Sequence, residues 1–166
     1  MSERQGESFV HPVRVYYEDT DTAGVVYYAN YLKYAERGRT EALRTLGIEQ
    51  RELAARDGVQ FVVRRVAAEF RLPAHLDDAL EVVTRTTDIG GASLTMEQII
   101  RRGDETLVTL SVNICTVEAA GDRAGRPVRL PTEVIERLGA SVFTPGRPGL
   151  SGTVTISPQT SRKKQV

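Results

Sequence analysis

An acidic turn, Glu18-Asp19-Thr20-Asp21-Thr22-Ala23-Gly24, separates a valine- and tyrosine-rich stretch from a long apolar period. Its carboxylates admit three kinds of chemistry. An aspartate ahead of a helix can accept hydrogen bonds from unpaired first-turn N–H groups and act only as a cap. An ionised aspartate can attack an electrophilic carbon or take a proton from water, and with a reference pKa of about 3.9 it stays charged near neutral pH. Two aspartates one residue apart can also hold magnesium. Other reactive side chains are scarce. Cys115 is the only cysteine and His11 and His75 the only histidines, so a zinc site lacks ligands and metal-free, cofactor-free chemistry is expected. Cys115 alternates with Asn113 and Val117 and reads as a small buried residue. For neither histidine does the sequence alone single out a neighbour, and both read as structural.

The elements that must position this turn are legible from periodicity. Phe9 to Glu18, with Val13, Val15 and Tyr17 on one face, predicts a first strand. Apolar positions Tyr28, Tyr31, Leu32, Ala35, Ala42, Leu43 and Leu46 predict a helix over about Tyr27–Leu46, with Gly47 past its end. Ala35, Gly38 and Ala42 make the middle of that stripe small, so something bulky is expected against the helix there. A short helix over Glu49–Arg56 should end at Gly58. Period-2 stretches follow at Gln60–Leu72, Ala79–Ile89, Ser93–Arg102 and Thr106–Glu118, joined by short connections that imply an antiparallel meander. Strands of this length must curl. The expected fold class is α+β, a long central helix wrapped by a curved five-stranded antiparallel sheet. Pro131 to Leu138 suggests a further short helix with Thr132 as N-cap.

Composition narrows the function. The chain of 166 residues is 40% hydrophobic, enough for one domain with a packed core. Its 22 basic and 22 acidic side chains cancel, which argues against a nucleic-acid partner. With no apolar leader and no long apolar run, a soluble, unexported, cytoplasmic protein is expected. Residues 1–139 form the expected domain. Residues 140–166 carry four positive charges, Arg147, Arg162, Lys163 and Lys164, and no acidic residue, and are expected to be a disordered basic tail. Such a tail is a solvated terminus or a weak attachment to an anionic surface.

The stretch Val15 to Arg44, with Tyr16-Tyr17-Glu18-Asp19-Thr20-Asp21 at its start and Glu36-Arg37-Gly38-Arg39-Thr40-Glu41 near its end, closely resembles the signature of 4-hydroxybenzoyl-CoA thioesterase-type hot-dog proteins. It is most similar to the Tol–Pal-associated acyl-CoA thioesterases of bacteria. Phe61-Val62-Val63-Arg64, Leu76-Asp77-Asp78 and Ala92-Ser93-Leu94 extend the resemblance over about residues 10 to 135. It implies a hot-dog fold and hydrolysis of short-chain or aromatic acyl-CoA, with Asp21 as the catalytic carboxylate. It also implies that backbone N–H groups near Tyr28 receive the thioester oxygen. Helix N-termini offer unpaired donors and partial positive charge, which suits a developing oxyanion. Thiolate leaves readily, so no strong general acid is required.

Val26, Tyr27, Phe61, Val63, Arg64 and Ser93 are the expected substrate contacts, with Ser93 either donating to the substrate amide or simply opening a strand. Arg64, Arg65, Arg101 and Arg102 are candidates for the coenzyme A phosphates. Many close members have histidine where this chain has Tyr28, so its side chain either activates water or packs as an ordinary aromatic. Pairing into a homodimer or homotetramer is implied, with the pocket between subunits, as is a link to inner-membrane or envelope proteins. Two other functions compete: a noncatalytic acyl- or protein-binding module of the envelope machinery, and a magnesium phosphatase of haloacid dehalogenase type. The latter needs alternating strands and helices, which the meander pattern lacks.

Overall fold

The computed structural model describes residues 3–5 and 8–140. The expected basic tail lies, from residue 141 on, outside the described residues. Among the described residues six antiparallel strands form one sheet in the order β1-β2-β4-β5-β6-β3: β1 (Glu3–Gln5), β2 (Ser8–Arg14), β3 (Val59–Phe70), β4 (Ala79–Ile89), β5 (Ser93–Arg102) and β6 (Glu105–Glu118). The bounds of β4 and β5 are those read from alternation. The five long strands are the expected ones, and β1 is a sixth that extends the sheet past β2.

Two expectations need correction. The first strand stops at Arg14, and Tyr17–Asp19 form a 3-10 turn that leaves Tyr17 82% exposed, off the Val13–Val15 face. The reason is local. Asp19 Oδ2 accepts from the Tyr16 N–H at 2.8 Å and the Asp19 N–H donates to Tyr16 O at 3.0 Å, so the chain curls before the ladder can continue. The meander holds only for β4-β5-β6: β3 pairs with β6 and β2 takes the place beside β4. The link from Arg71 to Asp78 carries the chain across, so two strands adjacent in sequence lie apart in the sheet.

The central helix α1 spans Asn30–Thr45, sixteen residues or about 24 Å, shorter at its start than the periodicity suggested. Tyr27–Ala29 instead form a turn ahead of it, closed by the Asn30 N–H to Tyr27 O at 2.8 Å. Gly47 follows the helix with φ of 75°, a left-handed conformation that favours glycine. Helix α2 (Gln50–Asp57) ends at Gly58 as expected. Helix α3 (Thr132–Gly139) has Pro131 at the cap position, so Thr132 is its first residue and makes no cap bond.

Packing explains the small stripe on α1. The helix lies across β2, β4 and β5, and a Cβ added at Gly38 would fall 2.5 Å from Val82 Cγ1. Tyr34, Ala35 and Leu43 sit in the same core as Leu80, Met96, Val112 and Ile114. The edge strand β3 reaches beyond the helix. Its inward positions Phe61, Val63, Val66, Ala68 and Phe70 are all apolar, yet Val63 is 48% and Phe70 40% exposed. A cleft opens between α1 and the Phe61–Val63 end of β3. No helix among the described residues is long and apolar enough to cross a membrane.

Candidate active site

Main-chain bonds tie the acidic turn to the start of α1. Thr20 bridges Val26, the Asp21 N–H donates to Val25 O at 2.9 Å, and the Gly24 N–H donates to Asp21 O at 3.0 Å. Val26 donates to Ala74 O at 2.9 Å, and the Ala74 N–H in turn donates to the buried Tyr31 Oη of α1 at 2.9 Å. On the other side, Asp19 O accepts from the Tyr27 N–H at 2.9 Å and from Asn30 Nδ2 at 2.8 Å. The turn and the helix start are thus tied into one hydrogen-bonded unit.

Neither aspartate caps α1, whose cap position is Ala29 with no side-chain bond. The Asp19 carboxylate is occupied by Tyr16, and it helps burial push the Tyr34 hydroxyl well above the ordinary phenol value. Asp21 is exposed. Its Oδ1 accepts from the Ala23 N–H at 2.8 Å, while Oδ2 takes no hydrogen bond among the described residues. Because Asp19 and Asp21 turn to different partners, they do not converge on a shared ion, and among the described residues no three acidic, histidine or cysteine side chains do. The Tyr28 and Ala29 N–H groups likewise have no acceptor among the described residues, which leaves donors at the positive end of the helix. A carboxylate with a free oxygen and a set of open amide donors on one hydrogen-bonded unit are suited to nucleophilic or base-assisted attack on a carbonyl.

The Tyr28 side chain is 55% exposed and packs edge-on against Phe70, ring centroids 6.1 Å apart, so the helix start meets one end of β3. Tyr27 is half exposed, its ring 4.9 Å from that of Tyr28. Phe61 and Val63, toward the other end of β3, line a chamber of about 150 Å³ with Glu36, Arg39 and Thr40 of α1. Tyr28 thus stands at the Phe70 end of β3, with Tyr27 beside it, and Phe61 and Val63 line the chamber toward the other end. Others do not join them. Val26 is 4% exposed and belongs to the core. Ser93 pairs with Cys115, and strand alternation turns it to the outer face, away from the chamber. Arg64 is the extra residue of a bulge between Val63 and Arg65, and both arginines are exposed. Arg101 and Arg102 are taken by Glu81 and by Asp78 and Glu105. A larger hollow of about 360 Å³ lies on the outer face, around Val83, Arg85 and Glu97, across the sheet from the cleft.

Sequence reasoning passed over Glu36, Arg39, Thr40 and Gln98. A signal was present, since Glu36, Arg39, Thr40 and Leu43 fall at helical spacing on one face. The neighbouring small residues drew the reading toward packing instead.

The profile of the thioesterase superfamily matches residues 23–109. The chain belongs to that superfamily. An acyl-CoA thioesterase, YbgC, of Haemophilus influenzae is 44% identical over 128 residues, covering 76% of this chain and 90% of the relative. The crystal structure of a probable thioesterase from Bartonella henselae is 42% identical, with a TM-score of 0.69 over 74% of this chain and 98% of that one. A 4-hydroxybenzoyl-CoA thioesterase solved with 4-hydroxybenzoyl-CoA shares the fold at 21% identity, with a TM-score of 0.74 over 80% of this chain and 99% of that one. The fold is thus the hot-dog fold, and the membership makes the protein a thioester hydrolase.

Proposed function

We propose that the protein hydrolyses acyl-CoA, with Asp21 as the carboxylate that attacks the thioester carbon or activates water, and with the Tyr28 N–H receiving the oxyanion. The observation that carries this is the pairing of a free Asp21 oxygen with an uncapped helix start on one hydrogen-bonded unit. As nucleophile, the carboxylate forms a mixed anhydride and releases coenzyme A thiolate, and water then cleaves the anhydride. As base, it takes a proton from water, which attacks the carbonyl directly. In both cases charge builds on the carbonyl oxygen, where amide donors and the helix dipole stabilise it. The 44% identical relative's activity supports acyl-CoA as the substrate class.

The exposed apolar edge of β3 supports a homodimer paired along that strand, which would close the cleft and remove an open sheet edge. Arg64 and Arg65 at the bulge, exposed and without an ion pair among the described residues, are then the candidates for the phosphates. Asp21→Asn tests the chemistry. Its amide oxygen keeps the bond to Ala23, so folding should be unchanged, while kcat falls by about 10²- to 10⁴-fold. Unchanged release of free thiol from acyl-CoA would remove Asp21 from the mechanism.

A further inference from the structure

The far end of the cleft holds a charge that the thioester chemistry does not use. Arg39 is 9% exposed, donates from Nη1 to the neutral Gln98 Oε1 at 2.9 Å, and forms no ion pair among the described residues. A guanidinium has five donors, and burying one without an opposing anion is costly. Burial pulls its pKa below the usual arginine value, and Glu36 is the carboxylate that opposes the shift. Glu36 itself is exposed and its Oε1 accepts from Thr40 Oγ1 at 3.0 Å, so water screens its charge while that of Arg39 stays unscreened. The chamber beside Arg39, about 150 Å³, equals the share of about five waters, and Phe61, Val63 and Met96 give it apolar walls.

We propose that this chamber selects acyl groups ending in a carboxylate, bound by the planar fork of Arg39, so that the preferred substrates are coenzyme A monothioesters of medium-chain dicarboxylic acids. The assignment rests on the acyl-CoA reading above and names its substrate class. Geometry sets the length. The helix begins at Asn30, and from there to Arg39 is nine residues, roughly 14 Å along the axis, with an arginine stem that leans back toward the helix start. That leaves on the order of 10 Å for the acyl chain, or about eight bonds at roughly 1.3 Å of advance per bond. Octanedioyl is the fitting group. Its carbonyl sits at the Tyr28 end, its methylenes run between α1 and β3, and its free carboxylate reaches Arg39.

The experiment compares octanedioyl-CoA with octanoyl-CoA, which differ only at the distal end. The wild type should show kcat/KM at least tenfold higher for octanedioyl-CoA. Arg39→Met should bring the ratio below one, and Glu36→Gln, at an exposed position, should raise it. Turnover of octanoyl-CoA at an equal or higher kcat/KM by the wild type overturns the proposal and leaves the thioesterase reading intact. Hydrolysis of neither ester, nor of any shorter or aromatic acyl-CoA, overturns both. Should Arg39→Met fail to fold by circular dichroism, Glu36→Gln decides: an increased ratio supports the assignment, and an unchanged or lower one overturns it.

Discussion

At the start of α1 the functional groups are exposed and held by main-chain bonds, whereas Arg39, farther along the helix, is buried and held by a side chain. Asp21, Tyr27 and Tyr28 face solvent on a turn fixed through Asp19 O, Ala74 and Val25. Arg39 is fixed by Gln98, whose Nε2 also donates to Ala35 O at 2.9 Å and to Thr84 Oγ1 at 2.8 Å. The contrast separates two tasks. Backbone donors and a free carboxylate serve any thioester, while a buried side-chain network discriminates among acyl groups. Buried networks of this kind are intolerant of substitution because each unpaired member carries its full desolvation cost.

Substitutions can be aimed at what the two ends share or at each alone. The largest effect is expected from Val62→Lys, which acts on both ends through the common edge of β3. Val62 is 38% exposed on that strand, and a symmetric pairing would bring two added charges into one interface. Sedimentation equilibrium should then show monomers for the variant and, if the proposed pairing holds, dimers for the unaltered protein; a variant that stays dimeric would exclude pairing along β3. Next comes Gly38→Ala, aimed at the buried end. The new methyl would fall 2.5 Å from Val82 Cγ1 and 3.3 Å from Gln98 Nε2. Overpacking of about 1–3 kcal/mol should outweigh the helix-propensity gain of about 1 kcal/mol, so urea denaturation should report a net loss.

The smallest effect belongs to Asp78→Asn, aimed at the open end. Asp78 Oδ2 accepts from the His75 N–H at 2.8 Å and from Arg102 Nη1 at 2.6 Å, which steadies the loop behind Val25 and Val26. Burial works to raise its pKa, but the His75 N–H and Arg102 overcome it and hold the carboxyl below its ordinary value of 3.8. A lowered folded-state pKa adds stability above 3.8 that is lost as pH falls below it. The substitution should cost about 1 kcal/mol or less at neutral pH and flatten the acid limb of stability against pH. An acid limb as steep as in the unaltered protein would show that other carboxylates set it.

Much of the fold was readable because its elements repeat. Alternation located β4 and β5, and small residues at helical spacing marked where Val82 approaches α1. The end of β2 was misplaced because a side chain three residues ahead, Asp19, captures the Tyr16 N–H, a competition that periodicity does not register. The pairing of β3 with β6 escaped because short connections favour neighbours only when nothing else fills the space beside β4, and β2 does. At the site, the acidic turn was visible from residue types alone. That Asp21 keeps an oxygen free while Asp19 does not depends on which amides the folded turn presents.

The sequence by itself determined the long strands and the helices to within a few residues, the turn with its two aspartates and the kinship with thioesterases, since each is written in local order and spacing. Only the tertiary structure decided which residues line the cleft. Arg39 and Gln98 are 59 positions apart, and their bond exists because α1 crosses β5. Burial and the pairing of distant polar groups arise when separate elements meet, and no local pattern carries that information.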